Sequence, residues 1–209
     1  MYKIKEIFLT KQGEGYHTGR KSVFIRFSGC NLWSGLEKDR HKAICDWCDT
    51  DFIGTDGING GNYSLNEVIK IVCELWPINN DEKPFVVCTG GEPLLQLDQF
   101  FVDEIHKNGF EIAIETNGTC LPPDKIDWIC VSPKNNTNLI IKNGDELKFV
   151  YPQSNFEPQQ FENFNFNHFF IQPMDGINYN KNIKMSKKFI EKNPKWKLSL
   201  QTHKILGFP

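Results

Sequence analysis

Apolar positions along the chain follow two periods. From Ser22 to Ser28 they alternate. Val23, Ile25 and Phe27 fall on one face and Phe24, Arg26 and Ser28 on the other, as in a strand. Lys3 to Leu9 alternates likewise and predicts a short first strand. From Ser64 the period lengthens. Leu65, Val68, Ile69, Val72, Leu75 and Trp76 keep helical spacing, Ser64-Leu-Asn-Glu67 is a capping-box sequence, and Pro77 ends the helix. Beyond it, short apolar runs predict strands over Phe85–Cys88, Phe110–Glu115, Trp128–Val131, Glu146–Val150, Phe169–Gln172 and Lys197–Leu200. Helical spacing returns over Leu95–Asn108, which Gly109 stops, within Phe156–Phe164, and over Met185–Lys192 before Pro194.

Strands that alternate with helices predict an α/β fold with a parallel sheet and right-handed crossovers. A closed barrel of eight such units takes about 250 residues. The 209 residues here leave room for about six βα units, so the expectation is an incomplete (partial) TIM-like barrel in a single domain, 1–209. A chain of this length buries enough surface to need no disulfide staple.

Composition narrows the function classes. Hydrophobic residues make up 39% and charged residues 24%, with a net charge of −2. That balance gives no general attraction to nucleic acid or to an anionic membrane. No N-terminal apolar segment reads as a signal peptide and no long apolar run reads as a membrane span, so a cytoplasmic setting is expected. Seven cysteines, an odd number, then read as reduced thiols. Cys73, Cys88, Cys120 and Cys130 lie in apolar or strand-like surroundings, which predicts core packing. Cys30, Cys45 and Cys48 differ: they follow the Ser22–Ser28 strand at spacing C-x14-C-x2-C.

Small and polar residues gather where the predicted strands end. They include Gly29-Cys30, Thr89-Gly-Gly-Glu-Pro93, Thr116-Asn-Gly118, Ser132-Pro-Lys134, Pro173-Met-Asp175 and Gln201-Thr-His-Lys204. In a barrel those ends form the face on which active sites are built. The cysteines alone fit two chemistries equally. Three thiolates can hold a [4Fe–4S] cluster with one iron left open, or His41 can complete a Cys3His zinc site.

The strand-end pattern decides between them by likeness. Cysteines after the first barrel strand, with Gly-Gly-Glu-Pro after the next, resemble the radical S-adenosylmethionine enzymes. Their usual spacing is C-x3-C-x2-C; here the first gap, residues 31–44, is an insertion eleven residues longer. Together with Gln12-Gly-Glu-Gly15, Glu115-Thr-Asn-Gly118, Val131-Ser-Pro-Lys134, Gln172-Pro-Met-Asp175 and Gln201-Thr-His-Lys204, the chain resembles the 7-carboxy-7-deazaguanine synthase family along nearly its whole length.

The resemblance implies a ring contraction of 6-carboxy-5,6,7,8-tetrahydropterin to 7-carboxy-7-deazaguanine with loss of ammonia, in queuosine and other 7-deazapurine biosynthesis. A 5′-deoxyadenosyl radical would take a hydrogen from the substrate. It further implies that Cys30, Cys45 and Cys48 hold the cluster and that Thr50 is a ligand of Mg²⁺. Trp47, Asp49, Gly91, Ser132, Pro133, Lys134, Gln172, Pro173, Met174 and Asp175 would contact S-adenosylmethionine. Gln12, Gly13, Glu14, Arg26, Thr89 and Pro209 would contact the pterin, with His203 near it. Arg26 can instead serve an internal salt bridge to Glu92 or Glu115, and Glu14 can belong to an ordinary polar loop. A flavodoxin-type electron donor and a homodimer are also implied. The rival readings are a radical activase acting on a partner protein and a zinc-binding module without enzymatic activity.

Overall fold

The computed structural model describes residues 1–77 and 82–208; the expected pterin contact of Pro209 lies outside them. The alternating N-terminal segments form strands β1 (Tyr2–Lys11) and β2 (Lys21–Phe27), which pair antiparallel. A short strand β3 (Gly61–Tyr63) adds antiparallel to the far side of β1. It escaped the sequence because it rests on backbone pairing with Tyr2–Ile4 and carries no apolar alternation of its own. Six strands then follow β2, each parallel to the one before: β4 (Phe85–Gly90), β5 (Glu111–Thr116), β6 (Trp128–Val131), β7 (Asn143–Tyr151), β8 (Asn165–Pro173) and β9 (Trp196–Leu198). The sheet is open, with order β3-β1-β2-β4-β5-β6-β7-β8-β9, a mostly parallel α/β sheet in the manner of a partial barrel.

Helices α1 (Leu65–Leu75), α2 (Gln99–Lys107) and α3 (Tyr179–Lys192) fill the crossovers after β2, β4 and β8. A fourth helix, α4 (Thr202–Leu206), follows β9. The capping box of α1 forms as its sequence predicts: Ser64 accepts from the Glu67 N–H, and Glu67 Oε2 accepts from the Ser64 N–H at 2.7 Å. Such a cap is worth about 1 kcal/mol. Helix α2 starts later than expected, because Pro93–Leu95 folds as a 3-10 turn and Asp98 accepts from the Phe101 N–H at 2.9 Å as the cap. Within Phe156–Phe164 the described structure has only a 3-10 turn, Pro158–Phe161. No described helix is long and apolar enough to cross a membrane.

Strand alternation splits the sheet into two environments. Val23, Ile25 and Phe27 of β2, Val86 and Cys88 of β4, and Ile112 and Ile114 of β5 face outward. They join a core with Val68 and Val72 of α1 and Phe101, Val102 and Ile105 of α2. Each such side chain, fully buried, contributes about 1.5–3 kcal/mol. The inward positions hold a small apolar cluster of Phe85, Val87 and Ala113, with Phe24 and Trp128 against it. Of the cysteines expected in the core, Cys88 and Cys130 are buried, Cys120 is half-buried and Cys73 is exposed on α1. Cys73 has a polar position on the helix despite its apolar neighbours in sequence.

The loop between β1 and β2 crosses the mouth at the strand starts. The Gly15 N–H donates to Ser199 Oγ at 2.9 Å, and the Tyr16 ring stacks on His168 and Trp128 with centroids 4.3 and 4.9 Å apart. A side chain at Gly15 would put its Cβ 1.9 Å from Glu146 Oε1, at a left-handed φ of 65°. Only glycine lets the loop lie that close.

Candidate active site

A cavity of about 340 Å³ opens at the C-terminal ends of the parallel strands. Its mouth is built by the cysteine stretch. Cys30 follows β2 directly, and the Ile44 N–H donates to Leu32 O at 2.9 Å, closing the two ends of the insertion onto each other. The rest loops out as a surface 3-10 turn, Glu37–Lys42. Arg40 reaches back from this turn: Nη1 donates to Asp46 O at 2.8 Å and Cys48 O at 3.1 Å, while the guanidinium lies 4.0 Å from the Trp33 ring centre. Cys30, Cys45 and Cys48 therefore line one cavity.

The thiols are not equivalent. A hydrogen bond from Cys45 holds Cys48 down to about 6, and the same bond with burial pushes Cys45 up. Burial raises Cys30. Among the described residues no three metal-ligating side chains converge on the single point one metal ion needs, a point about 2.3 Å from each thiolate for zinc. His41 is exposed and absent from the lining. The donor set instead suits a cluster, whose irons spread the thiolates apart. No fourth cysteine lines the cavity among the described residues, so one iron would be left for a non-protein ligand.

The end of β4 presses against the Cys30 turn. The Glu92 N–H donates to Gly29 O at 2.9 Å, and a Cβ on Gly91 would fall 2.0 Å from that same oxygen. Glycine at 91 keeps the backbone bare beside the cysteines. Glu92 is wholly buried, and burial pushes its carboxyl up. It accepts from Thr116 Oγ1 and the Asn117 N–H, both at 2.8 Å, and from the Leu94 N–H at 3.0 Å, tying the ends of β4 and β5 together. Asn117 Nδ2 then donates to Asn31 Oδ1 at 2.9 Å, next to Cys30.

The floor is charged. Lys148, on the inward face of β7, is only 4% exposed. Its Nζ is 2.5 Å from Glu14 Oε2 and 3.4 Å from Glu115 Oε1. Gln201 Nε2 donates to Glu14 Oε1 at 2.9 Å, and Gln12 Nε2 to Glu115 Oε1 at 3.0 Å. Burial would raise the Glu14 carboxyl, but the charge and hydrogen bond of Lys148 outweigh it and hold Glu14 well below the usual carboxylate range. Burial likewise opposes the Lys148 charge, and Glu115 and Glu14 overcome it.

Gln12, Gly13, Glu14, Arg26, Trp47, Asp49, Thr50, Thr89, Gly91, Ser132, Lys134 and Gln172 all line this cavity with the three cysteines. Pro133, Pro173, Met174 and Asp175 adjoin it without lining it. The Met174 N–H is engaged by Tyr151 O at 2.8 Å, and Asp175 pairs with Lys204, which also holds Asp49. Arg26 pairs with neither Glu92 nor Glu115. Its Nε donates at 2.8 Å to Glu6 Oε1, its register partner on β1. No sequence motif marks Lys148, and Glu115 enters the sequence only as a motif residue and a candidate partner of Arg26. A signal for Lys148 was present: Glu146, Lys148 and Val150 alternate with apolar Leu147 and Phe149, which places charge on the inward face.

The arrangement offers a small polar ligand charged and hydrogen-bonding groups beside three thiols. Comparisons with known proteins agree with that picture. The Radical SAM superfamily matches residues 40–158, a span that begins inside the insertion, after Cys30. The chain is 53% identical over 207 residues to the 7-carboxy-7-deazaguanine synthase of Bradyrhizobium diazoefficiens, covering 99% of this chain and 98% of that one. It is 51% identical to the enzyme of that name from Burkholderia multivorans, covering 100% and 99%. Among solved structures, the crystal structure of QueE from Escherichia coli aligns with a TM-score of 0.69 at 24% identity, over 95% of this chain and 93% of that one. At that identity the likeness is one of fold.

Proposed function

The chain belongs to the 7-carboxy-7-deazaguanine synthase family of the radical SAM superfamily, and we propose that its strand-end cavity contracts 6-carboxy-5,6,7,8-tetrahydropterin to 7-carboxy-7-deazaguanine with release of ammonia. One observation carries the reading: three cysteines, a bare glycine backbone and a buried charged floor share one cavity of small-molecule size. A polypeptide substrate, as a radical activase needs, calls for a longer groove.

When bound, the cluster and S-adenosylmethionine supply the radical that starts the reaction. The protein binds, orients and excludes water. Gly91 would leave room for the amino group of S-adenosylmethionine beside Cys30, and Ser132 and Lys134, which line the same cavity, would hold its sugar side. Lys134 is held there by Ser132, whose Oγ is 2.7 Å from its Nζ. Glu14, kept ionised by Lys148, accepts N–H groups from the pterin edge. Arg26 and Thr89 face the same space, and Arg26 offers charge to the substrate carboxylate.

Thr50 lines the cavity and is our candidate for Mg²⁺. A hydroxyl is a weak ligand, so substrate oxygens and water would complete the shell. Lys5 steadies the following loop through Asp51 and Asp56 at 2.9 and 2.8 Å. We further read the chain as one radical S-adenosylmethionine domain, homodimeric and cytoplasmic, reduced by a flavodoxin-type donor.

Anaerobic turnover of the reduced holoenzyme with the pterin acid tests the function. Deazaguanine acid and ammonium should appear in equal amounts, faster with Mg²⁺ than without. Cleavage of S-adenosylmethionine with no deazaguanine product would refute it.

A further inference from the structure

Behind the charged floor lies a second cavity, of about 10 Å³, the space one water molecule needs. Gln12, Glu14 and Glu115 line both cavities, so a single layer of side chains separates them. The rear cavity is also lined by Glu146, Cys130 and His17. Glu146 is 3% exposed. Its Oε2 accepts from the Tyr16 N–H at 3.2 Å, while its Oε1 is buried with no partner at full hydrogen-bond geometry, the Trp128 side chain making only a weak polar contact with the carboxyl. An unpaired buried carboxyl oxygen is costly, and nothing assigned to the reaction above explains it.

We propose that Glu146 is a proton-relay residue, joined through one water in the rear cavity to Glu115 in front and to His17 behind. The proposal rests on the reaction assigned above. Pterin acid and products balance with neutral ammonia, but ammonia leaves near neutral pH as ammonium. Each turnover therefore takes one proton from solvent. Glu146 gives its proton through the water to the Glu115 carboxylate. Glu115 gives it to the departing nitrogen, and His17 returns one from solvent to Glu146. No electrons move in these steps.

The surroundings suit this assignment. Burial pushes the Glu146 carboxyl up, against Lys148, the Tyr16 N–H and the Trp128 side chain, toward its protonated form and opposite in direction to Glu14. Glu115, Cys130 and Trp128 are its other polar or titratable neighbours. His17 sits at the mouth where the strands start, edge-on to Trp128 and Phe85 at 4.3 and 5.1 Å. Burial lowers it, Arg20 and His168 push the same way, and Glu111 and Asp145 oppose them. The lowering favours the neutral imidazole, whose free ring nitrogen can accept a proton from solvent and pass it inward.

The test uses the reconstituted holoenzyme. Glu146→Gln keeps an acceptor for Tyr16 but cannot carry the proton. Its kcat should fall about tenfold or more, toward the lower range of lost acid catalysis, with KM for the pterin within about twofold of wild type and an altered pH profile of kcat. His17→Phe keeps the ring packing and should lower kcat several-fold with KM likewise held. It remains informative if the first variant fails to fold. Wild-type kcat and pH profile in either folded variant overturns the relay. Infrared difference spectra of the resting enzyme add an arm that needs no turnover. A protonated-carboxyl band present in wild type at pH 7 should vanish in Glu146→Gln, and its persistence overturns the proposal even if the assigned substrate is wrong.

Discussion

The two ends of the cavity are made in opposite ways. The mouth comes from one contiguous stretch, Cys30 to Thr50, held mainly by backbone: Ile44 to Leu32, Arg40 to the Asp46 and Cys48 carbonyls, Glu92 to Gly29. The floor is gathered from the loop at Gln12–Glu14, from β5, from β7 and from Gln201 after β9, and it is held by side-chain charge. The mouth is a local device that a sequence can spell out. The floor exists only once the sheet curls, because Glu14 and Lys148 are 134 residues apart in the chain. A local device fails when one ligand is lost, whereas a charged floor fails when one partner leaves another buried and unpaired.

Breaking the mouth should have the largest effect. Cys45→Ser removes a thiolate that nothing else in the cavity replaces, so bound iron and product formation should both fall below detection while the far-ultraviolet circular dichroism is kept. Bound iron at the wild-type level would contradict the ligand assignment.

Breaking the floor comes next. Lys148→Met leaves Glu14 buried without its cation, which should cost about 3–5 kcal/mol, read by urea unfolding, and should raise KM for the pterin. The pH dependence follows from the Glu14 shift. Its carboxyl is depressed in the fold to about 2, so the stabilisation is complete above the unfolded carboxylate value, about 4.3. It is lost as pH falls from there toward about 2. In Lys148→Met that acid-side loss should flatten, and an unchanged acid limb would remove the pair from the account.

The smallest effect should come from the insertion. Arg40→Met gives up the Trp33 contact and two backbone acceptors, worth about 1–2 kcal/mol in all at a half-buried site, together with the exposed Glu37 pair, which adds little. It should leave KM for the pterin unchanged and speed iron loss to a chelator a few-fold. A large rise in KM instead would mean that mouth and floor are coupled.

Much of the architecture was legible. The capping box at Ser64, the sorting of Phe24 and Arg26 onto one strand face, and the polar strand ends all follow from short-range rules of burial and hydrogen bonding. The misses have physical causes. Strand β3 has three residues and is held by a neighbour's backbone. Helix α2 starts late because Pro93 and Asp98 compete to set its first turn. Arg26 found Glu6 rather than Glu92 or Glu115, because antiparallel register puts Glu6 directly across from it.

The strand periods, the cysteine spacing and the glycine that lets backbone approach backbone at position 91 are written in the order of residues alone. These are properties of neighbouring residues and fixed covalent geometry. Which charges meet depends on how the sheet curls. Lys148 reads as an isolated charge in an apolar strand until the sheet brings Glu14 and Glu115 to it. Glu146 reads as an ordinary strand-start glutamate until Tyr16 and the rear cavity close over it. Burial strips water from these groups, and their charge states then depend on partners that are distant in the chain.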